Sequence, residues 1–132
     1  MPKPGKIMNE AFMRGYYEAY NSEDPARLGA FLADDVVLVS AQGESHGKAA
    51  YLATYAGIIA DFRDQMTPTE IAAGGDSATV KITDRFTARH DVADFLGQSF
   101  KAGGGFTLKL EGKYRVVDGK ISRIEVAILG ME

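Results

Sequence analysis

The sequence predicts an α+β fold in which helices come first and a mixed, mostly antiparallel sheet follows. Two long stretches with apolar residues at helical spacing lie before Arg63. Beyond that residue the periodicity becomes alternating, and it stays so to the end of the chain. A sheet with one apolar face must bury it, and the helices are the available cover. Long, twisted strands folded over three N-terminal helices should therefore enclose a cone-shaped half-barrel with a strongly curved sheet and an open mouth. Such a mouth is where a ligand pocket tends to form.

From Ile7 to Tyr20 the residues Met8, Ala11, Phe12, Gly15, Tyr16, Ala19 and Tyr20 share one arc, opposite Glu10, Arg14 and Glu18, which predicts a first amphipathic helix. Asp24-Pro25 supplies an N-cap acceptor and a proline at the first helical position, where its missing N–H costs nothing. The second helix that follows should carry Leu28, Phe31 and Leu32 inward and end near Asp34. Val36 to Val39 is β-branched and too short for a helix, so it reads as a strand. After a loop over Ala41 to Gly47, the residues Tyr51, Leu52, Tyr55, Ile58, Ile59 and Phe62 mark a third helix.

Between Ser77 and Arg89 the even positions Ala78, Val80, Ile82, Asp84, Phe86 and Ala88 make an apolar face with one exception, against Thr79, Lys81, Thr83, Arg85, Thr87 and Arg89. Phe106, Leu108, Leu110, Tyr114 and Val116 alternate with polar residues in the same way, and Ile121 to Leu129 forms the last strand. Ala73-Gly74-Gly75-Asp76 and Asp118-Gly119 are hairpin turns, the second of type I′ because both of its residues tolerate positive φ. Gly103-Gly104-Gly105 lacks the following helix of a phosphate cradle and reads as a hairpin or strand bend. Residues 1–6 read as a flexible tail before a single domain over 7–132.

The 15 basic and 18 acidic side chains leave a net charge of -3, too near neutral to make nucleic acid or an anionic membrane a default partner. With no cysteine and two distant histidines, His46 and His90, neither a disulfide nor a metal site is expected, and no cofactor is implied. The absence of an apolar signal region or membrane-length run leads to a cytoplasmic expectation.

Tyr16-Tyr17-Glu18-Ala19-Tyr20-Asn21, the stretch DPARLGAFLADD over 24–35, His46-Gly47-Lys48, Phe95-Leu96-Gly97 and Asp118-Gly119-Lys120-Ile121 follow one another in an order and spacing that cover nearly the whole chain. Together they resemble the nuclear-transport-factor-two-like superfamily, in its SnoaL-like branch of polyketide cyclases and ketosteroid isomerases. The resemblance implies a curved sheet on three helices, a deep apolar pocket and a homodimer through the outer sheet face. The row Thr79, Thr83 and Thr87 suits such sheet packing. The resemblance also places Tyr16 where ketosteroid isomerases carry an oxyanion-donating tyrosine, and His90 at the pocket histidine of the cyclases. Ser40 stands in the place of the isomerase aspartate base, and serine has no pKa near neutrality. The second oxyanion donor, a protonated aspartate in that family, falls near Gly112. Arg89 and Asp91 match the Arg-x-Asp spacing of limonene-type epoxide hydrolases, whose third carboxylate falls on Val126.

Asp84 contradicts its register, since it shares parity with Val80, Ile82 and Phe86. A carboxylate in an apolar lining should have a raised pKa and suits proton transfer, unless the strand bulges or ends in water there. His90 has the same parity six residues on, about 20 Å away, so it is a separate candidate or else a rim histidine meeting solvent. Asp84, His90 and Tyr16 are thus the catalytic candidates, and Tyr20, Tyr51, Tyr55, Phe86, Leu108 and Tyr114 the candidate ligand lining. Two functions fit: an isomerase or cyclase working by proton transfer on a small hydrophobic or carbonyl-containing ligand, or a non-catalytic binding or dimerisation module of the same fold.

Overall fold

The structure, a computed structural model, describes residues 9–41 and 43–132. Helix α1 spans Glu10–Asn21 and starts where Asn9, in extended backbone, accepts a hydrogen bond from the Phe12 N–H at 2.8 Å. The expected tail 1–6 and the helix start at Ile7 lie outside the described residues. Asp24 caps α2, Pro25–Gly29, by accepting from the N–H groups of Ala26 and Arg27, with Pro25 in the first turn. This second helix is shorter than the spacing predicts. Leu32 opens strand β1, Leu32–Ser40, because the Phe31 carbonyl accepts from the Ile121 N–H and Leu32 pairs with Ile121. A long-range pairing overrides the local helical pattern from Leu32 to Asp34.

The segment expected as a loop contains a short strand β2, Gly43–His46, antiparallel to β1. Helix α3 runs over Lys48–Asp61 and enters through Gly47, whose φ of 96° suits a residue without Cβ. Phe62 is not its last residue, contrary to the spacing; it is extended and begins β3, Phe62–Gly74. Its ring anchors a group of five phenylalanines, with Phe86, Phe95, Phe100 and Phe106, whose centroids lie from 4.7 to 6.0 Å apart.

Strands β4, Ser77–Ala88, β7, Gly105–Val117, and β8, Lys120–Met131, complete a six-stranded sheet of order β2-β1-β8-β7-β4-β3. All neighbours are antiparallel except β1 and β8, which run parallel and make the sheet mixed. The turns at Gly75 and at Asp118-Gly119 fall as predicted, the latter with φ of 52° and 78°. Between β4 and β7 a small hairpin, β5 over Val92–Phe95 and β6 over Gln98–Phe100, turns through Leu96-Gly97, again with two positive φ values. Phe95 and Phe100 tie this hairpin to the main sheet through the phenylalanine group. The chain is thus α+β, with α1 and α3 against the apolar face of the sheet.

Candidate active site

A cavity of about 160 Å³ lies between the helices and the apolar sheet face. The alternation along β4 aims Val80, Ile82, Asp84 and Phe86 at this side, and all four are buried. Asp84 is 1% exposed and lines the cavity. Tyr16, Tyr20, Tyr51, Tyr55, Phe86, Leu108 and Tyr114 line it too.

The residue that the sequence reading missed is Asp64, on β3. It is as buried as Asp84 and borders the same cavity. Asp64 pairs with Phe86 and Met66 with Asp84, so the two aspartates are diagonal neighbours on one sheet face. Their carboxyls stand close enough for a hydrogen bond between them to shift both pKa values. Each has an Oδ1 buried without a donor from any other group, and two facing carboxylates have no proton to offer each other. One shared proton resolves both problems. Burial first, then the hydrogen bond and the charge of Asp64, push the Asp84 pKa far above the aspartate range. Burial also raises Asp64, against the lowering effect of Asp84 and Tyr20, whose hydroxyl donates to Asp64 Oδ2 at 2.7 Å. At neutral pH the pair therefore holds a proton, lodged chiefly on Asp84.

Tyrosine hydroxyls share the rest of the polar surface with Ser40 and Thr54. Tyr16 and Tyr51 touch at 2.6 Å, and Tyr17 donates to Tyr114 at 2.8 Å. One hydrogen bond between two hydroxyls uses one of their two protons, so one proton of the Tyr16–Tyr51 pair and the proton of Tyr114 remain for a ligand. Burial holds Tyr16, Tyr51 and Tyr114 well above the usual phenol value, so they stay neutral donors. Tyr114 leans over Gly112, where an added Cβ would sit 2.7 Å from its hydroxyl. The place matched to a protonated aspartate is thus filled by a phenol from two residues along. Tyr55 donates instead to the Tyr20 carbonyl at 2.6 Å and braces α1 against α3.

His90 lies elsewhere. It is 56% exposed, its Nε2 is 2.9 Å from Asp61 Oδ1 and its Nδ1 2.9 Å from the Asp91 carbonyl, and it does not border the cavity. The Asp91 carbonyl chiefly, with Asp61, raises its pKa. The strand ends at Ala88, and the even parity that aimed Asp84 inward no longer applies at position 90. Arg89 pairs with Glu23 and donates to the Ile59 carbonyl, while Asp91 accepts from the Ala102 N–H and pairs with Lys101, so the Arg-x-Asp pair also stands outside the cavity. Ser40 and Val126 do border it. Among the described residues no group of three or more potential ligands could hold a metal ion.

A mixed sheet with three helices, two of them packed on its apolar face, and a ligand-sized cavity between the layers define a small pocket-bearing α+β domain. The chain belongs to the SnoaL-like domain family, which matches residues 13–124. It is similar to a proposed polyketide cyclase from Xanthomonas campestris, at 25% identity and a TM-score of 0.77 over 89% of this chain and 87% of that one. A proposed ketosteroid isomerase from Kribbella flavida is 24% identical, with a TM-score of 0.68 over 91% of this chain and 76% of the other. An NTF2-like protein of unknown function from Cytophaga hutchinsonii, 12% identical, shares the fold at a TM-score of 0.67 over 96% and 94%. None of the curated proteins matches the chain.

Proposed function

We propose that this SnoaL-like protein is an isomerase or cyclase that moves a proton on a small, largely apolar carbonyl compound. The observation that carries this reading is the buried Asp84–Asp64 pair facing a cavity lined mainly by aromatic and aliphatic side chains. Buried carboxyls without basic partners are costly, and a shared proton is a device for both giving and taking one. When the shared proton rests on Asp64, Asp84 is the free base. It takes a proton from the carbon next to the carbonyl, the C–H bond breaks, and the electron pair moves onto oxygen. A proton of Tyr114 or of the Tyr16–Tyr51 pair stabilises that oxyanion. The pair then returns a proton to carbon. No helix among the described residues is long and apolar enough to cross a membrane.

Deuterium exchange next to the carbonyl, followed by NMR over a panel of enolisable ketones and polyketide mimics, tests the reading. Wild-type protein should accelerate exchange, and Asp84→Asn should lower the rate by roughly 10²-fold or more, the usual worth of a positioned acid–base group. Equal rates for the two proteins would sink it. Ser40 in the place of the family's aspartate base favours a second reading, a binding module with the same pocket. Ketone binding without exchange in the wild type would support that one.

A further inference from the structure

The charge pattern of the cavity reaches beyond proton transfer. Among the described residues that line it there is no lysine, arginine or histidine to balance Asp64 and Asp84. The titratable groups that share the space are phenols: Tyr16 and Tyr20 from α1, Tyr51 and Tyr55 from α3, and Tyr114 from β7. A carboxyl pair offers several lone-pair sites, yet its donors are the Tyr20 hydroxyl and the proton that the pair shares. The pair is thus short of N–H or O–H donors in a space bordered by aromatic rings, whose faces attract cations.

We propose that this cavity is a binding site for a small apolar amine in its protonated form, with the ammonium N–H groups donating to Asp64 and Asp84 and the carbon skeleton against the rings. The volume of about 160 Å³ suits one six-membered ring, since an apolar cavity of about 150 Å³ takes a benzene. Carboxylates and phosphates would meet two acids and no cation, so they are excluded. This inference rests on the charge and shape of the cavity and does not require the proton-transfer reading.

Calorimetric titration of the full chain with three ring probes, piperidine, cyclohexanone and cyclohexanecarboxylate, tests it. At about pH 7.5 piperidine should bind at least about tenfold more tightly than cyclohexanone, and cyclohexanecarboxylate should not bind. An aliphatic ammonium keeps its charge up to about pH 10, so the pH response below that belongs to the protein. Piperidine affinity should fall as acid fills both carboxyls with protons, while cyclohexanone affinity stays level. In the Asp64→Asn/Asp84→Asn double variant the tenfold advantage of piperidine over cyclohexanone should vanish. Should that variant fail to fold, the wild-type pH series decides. Piperidine binding no tighter than cyclohexanone, a flat pH response, or an undiminished advantage in the folded double variant would each overturn the proposal. Tight piperidine binding without ketone exchange would remove the proton-transfer reading and leave this one, and exchange without amine binding would do the reverse.

Discussion

Asp84 is a residue whose cost to the fold can be measured directly. Its native pKa lies above the unfolded value of about 3.9, so the native state binds the extra proton and stability must fall as pH rises from that value through the neutral range. Asparagine keeps the shape and can still donate to Asp64, but it has no proton to lose. Asp84→Asn should therefore be more stable than wild type by on the order of 1–3 kcal/mol at pH 7, with the gap closing toward pH 4. Urea denaturation at a series of pH values checks this, and a gap that widens in acid would contradict it. Tyr16→Phe should slow ketone exchange by only roughly tenfold, because Tyr51 keeps a hydroxyl at the same point. Asp84 was legible because one charged residue broke an otherwise clean alternation. Asp64 breaks the alternation of Phe62 and Met66 in the same way, but helical spacing claims Phe62 for α3, so the strand that would expose the anomaly starts too late in the sequence pattern. At position 90 parity misled, since the strand had already ended.

At the scale of elements, the periods of the long strands carried most of the fold, and the failures occur where tertiary contacts outweigh a short local pattern. β2 is four residues long and exists through pairing with β1, and the β5–β6 hairpin stays in place through Phe95 and Phe100. Neither has an apolar period long enough to read. Gly105 and Gly112, both on β7, give a paired test of how that strand is seated. A Cβ at Gly105 would lie 1.8 Å from the Phe86 carbonyl oxygen, a backbone atom held in the β4–β7 ladder. The three atoms nearest a Cβ at Gly112 belong to the ring and hydroxyl of the Tyr114 side chain. Gly105→Ala should thus cost more than about 3 kcal/mol, and Gly112→Ala about 1–3 kcal/mol with Tyr114 pushed out of the cavity wall. Thermal melts rank the two variants, and Gly112→Ala should also weaken ligand binding. Equal losses would mean that β7 can shift in the sheet as easily as a side chain can turn.

For the molecule as a whole, we propose a homodimer through the outer sheet face. That face carries the threonine row of β4, flanked by Lys81 and Arg85, and beside it Lys109, Lys113 and Arg115 of β7. In a two-fold dimer a patch meets its own copy, so pairing centred on these basic rows would set like charges against each other. Toward β1 and β8 the composition changes: Val39, Ala127, Glu111 and Glu125 border a second depression together with Lys113, and Leu129 is 57% exposed where β8 runs past the end of its pairing with β1. A contact centred there would bury apolar surface and let basic residues of one copy approach the glutamates of the other. Light scattering should then give twice 14.2 kDa. Added salt should loosen the dimer only modestly, because it screens the few attractive pairs and leaves the buried apolar contact in place. Leu129→Lys should shift the equilibrium to monomer, since it replaces buried apolar area with a charge, without altering the melting transition of the single chain by more than about 0.5 kcal/mol. A mass of 14.2 kDa at every concentration would end the proposal. A dimer indifferent to Leu129→Lys would move the contact back to the threonine row.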